Sequence, residues 1–255
     1  MIAQAIHKFM PEYDLVYLGD TLHLPYGGRS AEAVYQLTKN AVDFLFREQD
    51  CHLIILACNT ACACALRRLQ QEYLPEHFPD RRILGVVVPV LETAIEQGGH
   101  EIGLIATERL IESQIYEEEL KKLNPNIQIH SKATPLLVPM IENEGEKWLP
   151  EILSEYMKAL PLDKLNSLIL GCTHYTKLKP EIEKLIQPKT HIIAQDEIIP
   201  EKLADYLRRH PEHQAHLSRD GQCTFLFTDI TESYVENARK IWRDSIKFKK
   251  AKYYD

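Results

Sequence analysis

The 255-residue chain holds no run of about 18 apolar residues able to cross a bilayer, and its first residues lack the basic-then-apolar order of a secretory leader. A cytoplasmic protein with no membrane partner is expected. No glycine-rich phosphate loop of the GxGxxG or GxxxxGKS type occurs, and no lysine stands in a recognisable pyridoxal-phosphate or Schiff-base setting. The sequence therefore points to no organic cofactor. Positive charge is also short: 30 Lys and Arg against 37 Asp and Glu leave a net charge of −7, the wrong sign for a general binder of nucleic-acid backbone. The single basic cluster, Lys247, Lys249, Lys250 and Lys252, lies in a terminal tail and reads as a solvated end. In the cytoplasm disulfides are not expected, so Cys51, Cys58, Cys62, Cys64, Cys172 and Cys223 are candidates for packing, metal binding or catalysis.

A hydrophobic content of 45% with 26% charged residues is that of a folded globular chain, long enough for one large domain or two smaller ones. Short apolar runs read as strands: Leu15–Leu18, Leu53–Ala57, Ile83–Val88, Ile102–Ile105, Leu168–Leu170, His191–Ala194 and Thr224–Phe227. Between them, Ala31–Arg47, Ala61–Gln71, Glu108–Lys122, Glu151–Leu160 and Pro200–Arg209 carry helical periodicity. Such alternation predicts an α/β fold, a mostly parallel sheet covered by helices. Ile2, Ala5, Ile6, Phe9 and Met10 also fall at helical spacing, so the sequence opens on an amphipathic helix without a capping residue, where an α/β domain normally has a strand and turn first.

Two segments echo each other. LIILACNT (Leu53–Thr60) and LILGCTH (Leu168–His174) each run from an apolar strand through a small residue into a cysteine and polar residues, and a helix-like stretch follows both. The echo favours two related α/β halves over one large domain. In parallel sheets the carboxyl ends of strands open on the ligand crevice, and a following helix offers free N–H groups to an anion. A cysteine there can become a usable thiolate. For a lone cysteine a structural role is the better reading, but two matching ones supply what racemisation needs: one group to remove a proton from a carbon and another to return one on the opposite face. Asn59, Thr60, Thr173 and His174 supply polar groups to hold a carboxylate, and His174 can orient substrate or tune Cys172. Helix capping is the plainer role for Thr173 and His174. Cys58, Cys62 and Cys64 raise the question of a metal, but C-x3-C-x-C fits no common zinc spacing. Cys51 and Cys223 read as core residues, and residues 211–221, with His213, His216 and Gly221, as a surface loop.

Taken together, Gly19-Asp20-Thr21, Pro25-Tyr26-Gly27, Cys58-Asn59-Thr60-Ala61 and Gly171-Cys172-Thr173-His174-Tyr175 resemble, in order, the motifs of the glutamate racemase branch of the aspartate/glutamate racemase family. Ile105-Ala106-Thr107, Ser113, Tyr116 and Val138-Pro139-Met140-Ile141-Glu142 extend the similarity over nearly the whole chain. The resemblance implies two pseudo-symmetric parallel-sheet domains with the active site between them, residues 1–88 plus 197–255 carrying Cys58 and residues 89–196 carrying Cys172. It implies cofactor-independent interconversion of L- and D-glutamate for peptidoglycan synthesis, with Cys58 and Cys172 as the two bases and His174 and Glu142 assisting. Pro25, Tyr26, Gly27, Asn59, Thr60, Thr107, Thr173 and His174 would bind substrate, no metal would be needed, and a homodimer is implied by analogy alone.

This sequence departs from the family at its start, where members carry a strand ending in Asp-Ser-Gly whose aspartate helps the first cysteine and whose serine meets substrate. The expectation is either a start further upstream or impaired turnover, with unpaired ladder groups where a central strand belongs. Thr134 stands where the family often has cysteine, and His23-Leu24 precedes Pro25; both should alter packing rather than chemistry. An aspartate racemase, a ligand-binding homologue without turnover and an unassigned α/β protein are the alternatives. One methylene in a pocket is worth only about 1–3 kcal/mol, so aspartate and glutamate are weakly separated by sequence.

Overall fold

The computed structural model describes residues 1–142, 145–242 and 248–253. Its strands are β1 (Leu15–Gly19), β2 (Leu53–Leu56), β3 (Arg82–Gly85), β4 (Glu101–Ala106), β5 (Gln128–Ala133), β6 (Ser167–Leu170), β7 (His191–Ile193), β8 (Cys223–Phe227) and β9 (Phe248–Lys250). Every ladder among them is parallel. They pair in the orders β1-β8-β9, β2-β3 and β5-β4-β6-β7, and among the described residues β1 and β2 make no ladder with each other.

The helices are α1 (Ile2–Phe9), α2 (Ala31–Arg47), α3 (Asn59–Ala61), α4 (Leu74–His77), α5 (Val87–Glu96), α6 (Glu108–Glu112), α7 (Ile115–Leu123), α8 (Leu137–Glu142), α9 (Leu149–Met157), α10 (Lys179–Ile182), α11 (Gln195–Arg209), α12 (Pro211–Gln214) and α13 (Glu232–Trp242). Helix α3 continues through wider π turns at Cys62–Leu66 and Leu69–Tyr73 into α4. Among the described residues no helix is long and apolar enough to cross a membrane.

Burial follows the sequence pattern. Helix α2 turns Val34, Tyr35, Thr38, Val42 and Phe46 inward at three-to-four-residue spacing, and Ser30 caps it by accepting from the Ala33 N–H at 3.2 Å. Helix α1 buries Ile2, Ile6 and the following Met10, packs on α11, and leaves Phe9 exposed. Strand β6, with β4 and β7 on either side, is buried at every residue. One apolar cluster runs continuously from Ile2 and Ile6 through Val90, Leu91, Ile102 and Leu104 to Tyr116 and Leu203, so elements far apart in the chain share a core.

Several boundaries differ from the sequence reading. Val86–Val88 is β-branched and reads as strand, yet helix α5 starts at Val87 because Val87, Val90, Leu91 and Ala94 share a buried face. The expected helix 108–122 breaks in two: Gln114 adopts a positive φ of 54° and Ser113 Oγ turns back to the Leu110 carbonyl at 2.6 Å. Helix α11 begins five residues before Pro200 and includes it, and β5 was not visible in the sequence as a strand. The basic tail is no free end. Lys249 and Lys250 lie in β9, where Phe248 packs on Phe227 at 5.3 Å and Ala251 N–H donates to the Phe227 carbonyl, while Lys247 lies outside the described residues. Cys51 is half-buried and packs against the apolar cluster around Phe46 and Ile54, while Cys223 is half-buried with its Sγ 3.4 Å from His7 Nδ1. Residues 211–221 include α12 as well as loop.

Candidate active site

Both echoed segments place their cysteine just past the carboxyl end of a parallel strand, Cys58 after β2 and Cys172 after β6. Each is extended and stands immediately before a helical turn, Cys58 before α3 and Cys172 before a 3-10 turn at Thr173–Leu178. The small residue ahead of Cys172 has a packing reason. A Cβ on Gly171 would come within 2.8 Å of both Ala106 Cβ and Leu104 Cδ1 and 3.0 Å of the Ile105 carbonyl oxygen.

Cys58 is open to solvent on one side and crowded by protein on the others. That crowding pushes its thiol up to about 11, while the N–H groups of Ala61 and Thr60 aim at the sulfur and pull the other way. Negative charge on Cys172 also raises it, so the two sulfurs are close enough to feel one another. Cys62, one turn on, donates to the Leu56 carbonyl at 3.0 Å and is pushed up to about 12 by burial. It is buried in the core.

Around Cys172 the fold assembles a relay. Its Sγ lies 3.5 Å from His174 Nδ1, and His174 Nε2 lies 3.0 Å from Glu142 Oε1 at the end of α8. Burial works against charge on this ring, but the Cys172 sulfur and the Glu142 carboxylate outweigh it and lift the imidazole to about 10. Both neighbours therefore favour the imidazolium form of His174, and a cationic ring stabilises negative charge on the adjacent sulfur. Thr173, half-buried, sits between them in sequence at the start of the turn.

The remaining expected residues gather on the Cys58 side. Pro25 precedes a 3-10 turn at Tyr26–Gly28, held from below by Asp20 at the end of β1. Tyr26 OH donates to Asp20 Oδ2 at 2.6 Å, Thr228 Oγ1 donates to Asp20 Oδ1 at 2.9 Å, and His23 Nδ1 lies 2.8 Å from Asp20 Oδ1. Burial and this carboxylate raise the Tyr26 phenol well above its ordinary range. Gly27 packs on Thr107, where an added Cβ would approach within 3.2 Å, and Thr107 Oγ1 lies 3.2 Å from Thr60 Oγ1. Thr107 also caps α6 through the Leu110 N–H.

Asn59 is buried behind this surface. Its Oδ1 accepts from Tyr116 OH at 2.9 Å and from Gln195 Nε2 at 2.7 Å, while its Nδ2 has no partner among the described residues. A buried donor left bare costs about 1–3 kcal/mol. Gln195 escaped the sequence reading although it stands just past a strand, β7, at the same kind of position as the two cysteines. Asp20, beyond β1, is a second case: its motif was legible, its role was not. Thr134, a departure from the resembled pattern, is wholly buried and bonded to Tyr175 OH at 2.7 Å and to the Ala106 carbonyl at 3.0 Å.

Comparison with known proteins places this geometry. The model of the Asp/Glu/Hydantoin racemase family matches residues 1–197. A glutamate racemase of Dinoroseobacter shibae is 34% identical over 97% of this chain and 93% of its own length, and one of Paracoccus denitrificans is 33% identical over 98% and 95%. Among solved structures, a glutamate racemase from Bacillus anthracis superposes with a TM-score of 0.86 at 29% identity, covering 98% of this chain and 92% of its own. A glutamate racemase from Francisella tularensis in complex with D-glutamate gives 0.85 at 25% identity, covering 99% and 92%.

Proposed function

The chain belongs to the Asp/Glu/Hydantoin racemase family, and we propose that it interconverts L- and D-glutamate without a cofactor, supplying D-glutamate for peptidoglycan. The observation that carries this reading is the pair of cysteines, each at the carboxyl end of a parallel strand and near enough for one charge to act on the other.

The α-proton of an amino acid is a very weak acid, so its removal needs both a base in place and stabilisation of the charge that develops on the carbanion and its carboxylate. In one direction a Cys172 thiolate, supported by the His174 imidazolium, takes the α-proton as the Cys58 thiol delivers another to the opposite face. The elevated Cys58 thiol suits the donor role in that direction. Reversal exchanges the two roles. Glu142 holds the imidazolium in register rather than touching the reacting carbon. The bare Nδ2 of Asn59, the threonine pair Thr60 and Thr107, and Thr173 provide the neutral groups for the substrate's polar ends, with Tyr26 and Gly27 forming one wall.

The same reading gives two domains, residues 1–88 with 197–255 and residues 89–196, supported by the β5-β4-β6-β7 ladder lying wholly within the second. A cytoplasmic location and a homodimer belong to it as well.

Deuterium incorporation at Cα of L-glutamate in D2O, with chiral analysis of the product, tests the reaction. Exchange with inversion that is lost in both Cys58→Ala and Cys172→Ala supports two-base racemisation. A folded protein that neither exchanges nor inverts glutamate, but does so with aspartate, would move the substrate to the shorter acid.

A further inference from the structure

Among the described residues, one group of potential metal ligands converges, and it lies outside the cysteine site. His210 caps the end of α11, Pro211 starts α12, and Glu212 and His213 follow directly. One ligand atom from each of His210, Glu212 and His213 lies within 4.8 Å of the others. Glu212 Oε1 is 3.0 Å from His210 Nδ1 and 3.7 Å from His213 Nε2. Tetrahedral zinc bound by nitrogen and oxygen at about 2.0–2.1 Å separates its ligands by about 3.3 Å. The Glu212–His210 and Glu212–His213 gaps bracket that value, and all three ligand atoms lie within 4.8 Å of one another.

The rings are held in place without the ion. Tyr206, one turn earlier on α11, packs against His210 at 4.5 Å with the rings tilted by 34°, and lies nearly parallel to His213 at 6.1 Å. The His213 N–H donates to the His210 carbonyl at 3.0 Å, which fixes the short helical turn between them. The His213 side chain is 14% exposed against 38% for His210 and 59% for Glu212, so the cluster is closed on the protein side and open to solvent on the other. A simple ion pair needs one imidazole on the carboxylate; a second, less exposed ring facing the same oxygen completes a three-ligand set.

We propose that His210, Glu212 and His213 form a site for a divalent transition-metal ion of the zinc class, with water in the fourth position. The ion fastens α12 to the end of α11 and is remote in kind from the racemase chemistry, which uses none of these residues.

Zinc also binds thiolates, so the test removes the catalytic sulfurs first. In the full chain carrying Cys58→Ala and Cys172→Ala, zinc chloride titrated by calorimetry should bind with one equivalent and raise the melting temperature. Adding His213→Gln or His210→Gln should weaken that binding at least tenfold, and Glu212→Gln should weaken it too. Cobalt(II) in the same protein should give tetrahedral visible bands without thiolate-to-metal charge transfer. Absence of binding, an equivalent that survives both histidine substitutions, or a thiolate charge-transfer band would each overturn the proposal.

Discussion

Replacing Glu142 by Gln keeps the shape of the relay and removes its charge. In the parent, Glu142 Oε1 sits 3.0 Å from His174 Nε2 and helps lift the imidazole to about 10. A hydrogen bond to a charged group is worth about 1.5–3 kcal/mol when well shielded. Each of these side chains keeps 35% of its surface, so solvent screening puts the value at the low end. About 1.4 kcal/mol corresponds to roughly a tenfold fall in rate. Enantiomers have equal free energy, so the equilibrium constant is unity and kcat/KM must fall by the same factor from L- and from D-glutamate. The asymmetry of the relay, which serves Cys172 and not Cys58, should therefore show in kcat and KM separately. The assay is chiral chromatography of initial rates in both directions at fixed salt. A Glu142→Gln protein as active as its parent would refute the charge-relay reasoning, since the geometry would then do without the carboxylate.

The same pair makes a stability prediction. His174 titrates higher folded than unfolded, so its contribution is complete below pH 6.5 and is lost as pH rises from there through about 10. Urea unfolding of parent and Glu142→Gln should show a gap at pH 6.5 that closes near pH 10. A gap that widens with pH would reverse the assignment. Gly171→Ala forces a methyl against Ala106, Leu104 and the Ile105 carbonyl; a loss of about 1–3 kcal/mol is expected, read as a lower melting temperature along with reduced turnover. Tyr116→Phe removes one of two donors to Asn59 Oδ1, which should cost about 0.5–1.5 kcal/mol in denaturant midpoint and raise KM. An unchanged KM would place Asn59 outside substrate binding.

The sequence made the α/β class and the strand-end cysteines readable because apolar runs of strand length ended in the same polar signature twice. The relay was less legible: His174 and Glu142 are 32 positions apart, and no periodicity links the end of α8 to the turn after β6. Resemblance suggested both residues; only the fold sets Glu142 and Cys172 on opposite nitrogens of the His174 ring. Gln195 was missed because it lacks the reactivity that draws notice to a cysteine, although its position after β7 obeys the same rule. The Val86–Val88 stretch misled because β-branched residues favour strands until a buried helical face overrides them. The tail misled because charge on Lys249 and Lys250 hid Phe248 and Ala251, which pack against β8.

The oxygen of Asn59 joins three elements whose sequence positions are far apart: the start of α3, the first turn of α7 and the first residue of α11. Residues 59, 116 and 195 consequently form one unit of inheritance. A chimera that takes the α11 segment from a relative with a different residue at 195 strips the amide of a donor, even if every transplanted residue suits its own helix. Substitutions at the three positions should accordingly fail to add in a double-mutant cycle, and compensating changes should arise at the other two rather than beside the site of exchange.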